Sequence, residues 1–193
     1  MPEREQLGVT PSQTVGPYFS FGLTEPWEER EDAVAPYHAD AIQVFGHVLD
    51  GRGDPVPDAM IETWQADPNG RFNHPDDPRG AAVFEGFRGF ARSGTDAEGR
   101  WSVRTLKPGR FPAADGTPQA PHLLVTVMAR GVLRQLTTRI YFGDEPQANA
   151  ADPVLRSLPD DARATLIAEP VEDRGYRFDI HLQGDGETAF FDL

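Results

Sequence analysis

The stretch Gln119-Ala-Pro-His-Leu-Leu-Val-Thr-Val-Met-Ala-Arg-Gly131 decides how this chain is read. Its centre is apolar and partly β-branched, which predicts a strand from His122 to Ala129, and Arg130-Gly131 ends it. Side chains alternate between the two faces of a strand, so positions 122 and 124 share one side. A histidine at 124 would make an H-x-H pair able to present two imidazoles to one metal ion. Position 124 is leucine.

The strand signal continues outward on both sides. Ile42, Val44, Gly46 and Val48 fall on one face of a segment whose other face carries Gln43, Phe45 and His47. Further strands are predicted over 59–65, 87–93, 100–106, 137–142 and 165–168. In the segment 176–182, Tyr176, Phe178, Ile180 and Leu182 alternate cleanly with Arg177, Asp179 and His181. Gly94-Thr-Asp-Ala-Glu-Gly99 reads as a hairpin connection between two of these strands. Prolines 146, 153 and 159 leave room between 144 and 164 for short helices only, with Asp160 a candidate N-cap. Seven or eight short strands with Gly/Pro turns and no long amphipathic helix predict an all-β fold, an antiparallel β-sandwich with short helical connections.

The N-terminal part is different in kind. In Thr10-Pro-Ser-Gln-Thr-Val-Gly-Pro-Tyr-Phe19 two prolines and a glycine argue against a helix and for an extended arm laid on a surface. Residues 20–40 are acidic and irregular and read as a solvated face. The expected division is an arm and irregular segment, 1–40, followed by one sandwich domain, 41–193. The loop 71–85 carries Phe72, His74, Asp76 and Asp77 and reads as solvated rather than as a ligand cluster. His47 and His181 read as surface or hydrogen-bonded histidines.

Charge narrows the partners. The 193 residues carry a net charge of -13, which opposes binding to nucleic acid or anionic membranes. Of 18 basic residues only Lys107 is a lysine, so arginine is the expected reader of any anion. There is no cysteine, hence no thiolate metal site, Cys nucleophile or disulfide. The charged start, Met-Pro-Glu-Arg-Glu-Gln, has no apolar run after it, and a cytoplasmic location is expected. No P-loop, dinucleotide fingerprint, HExxH or G-x-S-x-G motif occurs.

Five motifs in order carry a resemblance: Thr10 to Tyr18; Glu62-Thr-Trp-Gln-Ala66 with Asn69-Gly70; Thr105-Leu-Lys-Pro-Gly109; Ala120-Pro-His122; and Arg139-Ile-Tyr-Phe142. Together they resemble the intradiol ring-cleaving dioxygenases over nearly the whole chain. Met128-Ala-Arg-Gly131 and the tail from Tyr176 to Asp192 are most similar to the alpha subunits of the family's two-chain, protocatechuate-cleaving members. The resemblance implies a β-sandwich and a ferric ion held, in iron-binding members, by two tyrosines and an H-x-H pair. At those positions this chain has Phe72, Phe111, His122 and Leu124, and Gln119 replaces the family's arginine ahead of the pair. It follows from the resemblance that this chain binds no metal and that Fe(III) belongs to a beta subunit. The alpha chain would contribute Thr14, Gly16, Pro17, Tyr18 and Arg130 to the neighbour's pocket, where protocatechuate and O2 react. Arg130 could face the substrate carboxylate, or it could be a strand-end ion pair. A free-standing β-sandwich binding module is the alternative expectation.

Overall fold

The computed structural model describes residues 11, 13–16, 18–23, 31–80, 84, 86–113 and 115–192. Eleven strands and four helices are named in it. They are α1 (Tyr18–Leu23), β1 (Ala41–Leu49), β2 (Met60–Trp64), β3 (Phe90–Gly94), β4 (Arg100–Leu106), β5 (Phe111–Pro112), β6 (Pro118–Gln119), β7 (His122–Met128) and β8 (Leu136–Phe142). There follow α2 (Pro146–Ala151), α3 (Pro153–Ser157), α4 (Asp160–Ala164), β9 (Ile167–Val171), β10 (Gly175–Arg177) and β11 (Ile180–His181).

The sheet runs β11-β1-β10-β9-β8-β7-β2-β3, with β4 on the other edge of β1. Most pairings are antiparallel, as the turn-rich sequence predicts; β1 with β10, β1 with β11 and β8 with β9 are parallel. The path folds over so that one apolar core takes Val44 and Val48 from β1, Trp101 and Val103 from β4, Ile61 from β2, and Leu123, Val125 and Val127 from β7. Leu123, Val125 and Val127 are fully buried, and each such side chain stabilises the fold by about 1.5–3 kcal/mol relative to exposure. The period-2 pattern of β7 therefore puts His122, Leu124 and Thr126 on the outer face of its layer, away from the core.

Several sequence expectations change. The segment 94–99 is not a hairpin between partners: β3 pairs with β2 and β4 pairs with β1, so the turn carries the chain from one pairing to another. The clean alternation at 176–182 breaks at Phe178–Asp179, between β10 and β11. There the Phe178 amide donates to the Phe45 carbonyl (2.8 Å) and Asp179 accepts from the His47 amide (2.9 Å). Gly46 sits under this break, and a Cβ on it would run into the Phe178 carbonyl, so the glycine permits the close approach. The capping side chain in 144–164 is Asp152, at the start of α3; Pro159 holds the N-cap position of α4 and Asp160 is already inside the helix. Helix α1 begins at Tyr18, immediately after the proline that discouraged a helix before it: Pro restricts the residue ahead of it but does not bar a turn that follows.

The acidic segment is also better anchored than its composition suggests. Ala33 and Val34 are buried, Glu31 bridges to Arg92, and the Asp32 carboxylate accepts the Arg104 amide at 2.8 Å. Glu25, Trp27, Glu28 and Glu29 lie outside the described residues.

Candidate functional site

Two loops beside the outer face of β7 are locked together by the backbone of Asp67. Its carbonyl accepts the amides of Gly70 and Gly109, both at 2.9 Å, while its carboxylate accepts those of Asn69 (2.8 Å) and Arg71 (2.9 Å). Gly109, from the Lys-Pro-Gly segment, passes so near the Pro68 carbonyl that a Cβ would collide with it. This interlock brings Phe72 and Phe111 into edge-to-face contact, with ring centroids 4.9 Å apart. Phe111 lies 5.1 Å from the His122 ring, and Trp64 stacks on Phe72 at 6.1 Å.

These side chains, with Leu124 and Arg139, line a cavity of about 690 Å³. The four positions singled out in the sequence, Phe72, Phe111, His122 and Leu124, thus share one site. The loop 71–80, read as solvated, forms part of its wall through Phe72, His74, Asp76, Asp77 and Arg79. Asp77 is structural: it accepts the Phe72 amide at 2.7 Å and both arms of the Arg79 guanidinium, at 2.9 and 2.8 Å. Those bonds, Arg79's first, hold its carboxyl far below the usual carboxylate range.

His122 is 4% exposed. Its Nδ1–H donates to the Ala120 carbonyl at 2.8 Å, which fixes the tautomer and leaves Nε2 as the acceptor. Burial, and secondly the Arg139 charge, push its pKa down to about 4, so the ring is neutral at pH 7. Behind it runs a polar network that sequence reading missed. Arg139 Nη1 donates to Gln119 Oε1 (2.9 Å) and to the Tyr141 hydroxyl (3.1 Å), and that hydroxyl donates to Asp152 Oδ1 (3.1 Å). Asp152 also caps α3 through Val154 and Leu155, and its Oδ2 accepts the Ala120 amide at 2.8 Å. Burial pushes the Tyr141 hydroxyl's pKa well above its ordinary value. An arginine and a tyrosine two apart, hence on one face of a predicted strand, were the available signal; β8 pairs them opposite Leu124 and His122.

The second group of expected residues lies elsewhere. Thr14 Oγ1 accepts the Gly131 amide at 2.9 Å, which ties the arm to the turn bearing Arg130. Gly16 takes a left-handed φ of 72° just ahead of α1. Tyr18 is the first residue of that helix. Pro17 lies outside the described residues. Arg130 is paired through Nε with Asp58 at 2.7 Å, with its side chain 60% exposed. Among the described residues, its two Nη groups have no bonded partner.

A family model described as "Dioxygenase" matches residues 16–184. The protocatechuate 3,4-dioxygenase alpha chain of Burkholderia cepacia is 49% identical over 202 residues, covering 97% of this chain and 98% of that one. The protocatechuate 3,4-dioxygenase beta chain of the same organism is 36% identical over 159 residues, 77% of this chain and 67% of that one. The chain belongs to the intradiol ring-cleaving dioxygenase family. The solved dioxygenase domain of a dioxygenase carbohydrate-binding protein fusion from Streptomyces sp. SirexAA-E superposes with a TM-score of 0.57 at 25% identity, covering 94% of this chain and all of that one. Intradiol dioxygenases depend on iron, and the cavity described above does not suit it. At the four positions equivalent to the family's ligands, two phenyl rings, an isobutyl group and one imidazole offer a single donor atom, whereas a mononuclear catalytic site needs about three protein ligands, and His74, Asp76 and Asp77 on the wall do not converge with His122 to make up the number. Among the described residues no group of three or more His, Cys, Asp or Glu converges as a metal site requires, and no helix is long and apolar enough to cross a membrane.

Proposed function

We propose that this chain is the alpha subunit of a protocatechuate 3,4-dioxygenase. Its partner is a beta subunit that holds the Fe(III), and the pair opens the ring of protocatechuate with O2 to give 3-carboxy-cis,cis-muconate. The observation that carries this reading is the donor set: carbon side chains stand at Phe72, Phe111 and Leu124, in a chain related along its length to an alpha chain and, less closely, to a beta chain. The arm within the N-terminal arm and irregular segment, 1–40, and the turn at Arg130 supply the contribution to the neighbour's pocket, through Thr14, Gly16, Pro17, Tyr18 and Arg130; residues 41–193 are the sandwich that carries them. The bond from the Gly131 amide to Thr14 supports treating arm and turn as one surface. Arg130 offers a forked cation to a carboxylate in a chain of strong negative charge, and Asp58 holds it in place. Its partner surface is protein, not nucleic acid or membrane, and its compartment is the cytoplasm, which cell fractionation tests.

The deciding experiment is co-expression with the beta chain, one of the two carrying an affinity tag. One iron per alpha-beta pair and ring cleavage by the pair, with none by this chain alone, is the expected result. Iron bound by this chain alone, with a visible charge-transfer band, would refute the assignment. Arg130→Ala should lower kcat/KM for protocatechuate about 10–100-fold, the range of a lost charge-assisted bond, and leave catechol, which has no carboxylate, nearly unaffected.

A further inference from the structure

The cavity over β7 has a feature that a filled-in relic would not need. Arg139 lines it, and Nη1 is spent on Gln119 and Tyr141, two neutral groups. Among the described residues no carboxylate pairs with this arginine, and its Nε and Nη2 have no bonded partner. That is unusual company in a chain with 31 acidic residues and 18 basic ones. Around it stand Trp64, Phe72 and Phe111, whose mutual spacings of 6.1 and 4.9 Å build an aromatic wall. His122 adds a fixed acceptor at Nε2, because Nδ1–H is committed to Ala120.

An aromatic wall beside a partly buried guanidinium that no carboxylate bonds directly is complementary to a flat anion; of the acids on the cavity wall, Asp77 is paired with Arg79 and Asp76 is turned to solvent. The ring faces gain from stacking, and a carboxylate gains a charge-assisted fork in a site of reduced dielectric. The volume of about 690 Å³ is in the range of small-molecule sites. We propose that this cavity is a metal-free binding site for a monocyclic aromatic carboxylate, held by Arg139 at the acid group and by Trp64, Phe72 and Phe111 at the ring. No bond is made or broken there; the site holds its ligand and releases it. The proposal goes beyond the subunit assignment and does not depend on where the iron resides.

Isothermal titration of the assembled protein with benzoate, and with benzamide as the uncharged control, tests this. Two variants in this chain are compared with the parent. Arg139→Gln removes the charge, and Leu124→Trp fills the cavity while leaving the bonded residues Gln119, Arg139, Tyr141 and Asp152 themselves unsubstituted. Beyond any benzoate held in the beta subunit's pocket, the parent is expected to take up one benzoate per copy of this chain, and this uptake is weakened about 10–100-fold in Arg139→Gln and abolished in Leu124→Trp, with benzamide binding unchanged between parent and Arg139→Gln. Unaltered thermal melting of Leu124→Trp shows that loss of binding there is not loss of fold. Identical benzoate titrations in all three proteins overturn the proposal. So does an equal weakening of benzoate and benzamide by Arg139→Gln, which would mean collapse of the cavity rather than loss of an anion contact.

Discussion

Asp152→Asn is the sharpest test of how the cavity is held in place. The carboxylate is fully buried and accepts four donors: the Val154 and Leu155 amides and the Tyr141 hydroxyl at Oδ1, and the Ala120 amide at Oδ2. An asparagine can keep the three bonds at Oδ1. Its NH2 then faces the Ala120 N–H, donor against donor, so one charge-assisted bond is lost and a buried amide is left unpaired. Those losses together cost about 2–4 kcal/mol. For a chain of this size that lowers the melting midpoint by about 4–16 °C. Asp152→Ala strands all four donors and removes the α3 cap, and should cost more, about 4 kcal/mol or above. The assay is thermal and urea unfolding of the assembled protein, with hydrogen exchange read at residues 120, 154 and 155. Exchange at Ala120 should accelerate in Asp152→Asn while Val154 and Leu155 stay protected. An Asn variant within about 0.5 kcal/mol of the parent, the scale of an ordinary surface substitution, would show that Asp152 does not carry the network.

Three further outcomes are expected. His122 has an unfolded pKa of 6.5 and a folded value of about 4, so the unfolded chain takes the proton first. Stability falls as pH drops from 6.5 toward 4 and levels off below, and the parent should lose about 2 kcal/mol more than His122→Gln between pH 7 and pH 5, measured by urea unfolding at each pH. Gly109→Ala should cost about 2 kcal/mol or more and shift Phe111, because the new Cβ meets the Pro68 carbonyl; a calorimetric midpoint matching the parent would contradict this. The triple variant Phe72→Tyr, Phe111→Tyr, Leu124→His supplies two phenols and a second imidazole around His122, and should acquire ferric ion with a visible charge-transfer band that the parent lacks. A colourless triple variant with unchanged folding would mean that the four positions share a cavity without sharing a ligand geometry.

What sequence could settle about this protein is local and periodic. The alternation in 41–49 and 122–128 already sorted their residues onto two faces, because a strand repeats every two residues whatever it pairs with. The identities at 72, 111, 122 and 124 already fixed the poverty of the donor set, since no folding can make phenyl or isobutyl groups bind iron. Which strands pair was decided only in three dimensions: the 94–99 turn looks like a hairpin from its glycines, yet its flanking strands find other partners, and 176–182 breaks where it must pass Gly46. The Arg139–Tyr141–Asp152 network was equally hidden. Arg139 and Tyr141 share a face of β8 by their spacing of two, but Gln119 comes from β6 and Asp152 from the turn before α3, 20 and 11 positions from their partners, and bonds over such separations leave no periodic trace. Tertiary structure alone also brought Thr14 to Gly131, across 117 positions, because side-chain reach is a property of space and not of spacing along the chain.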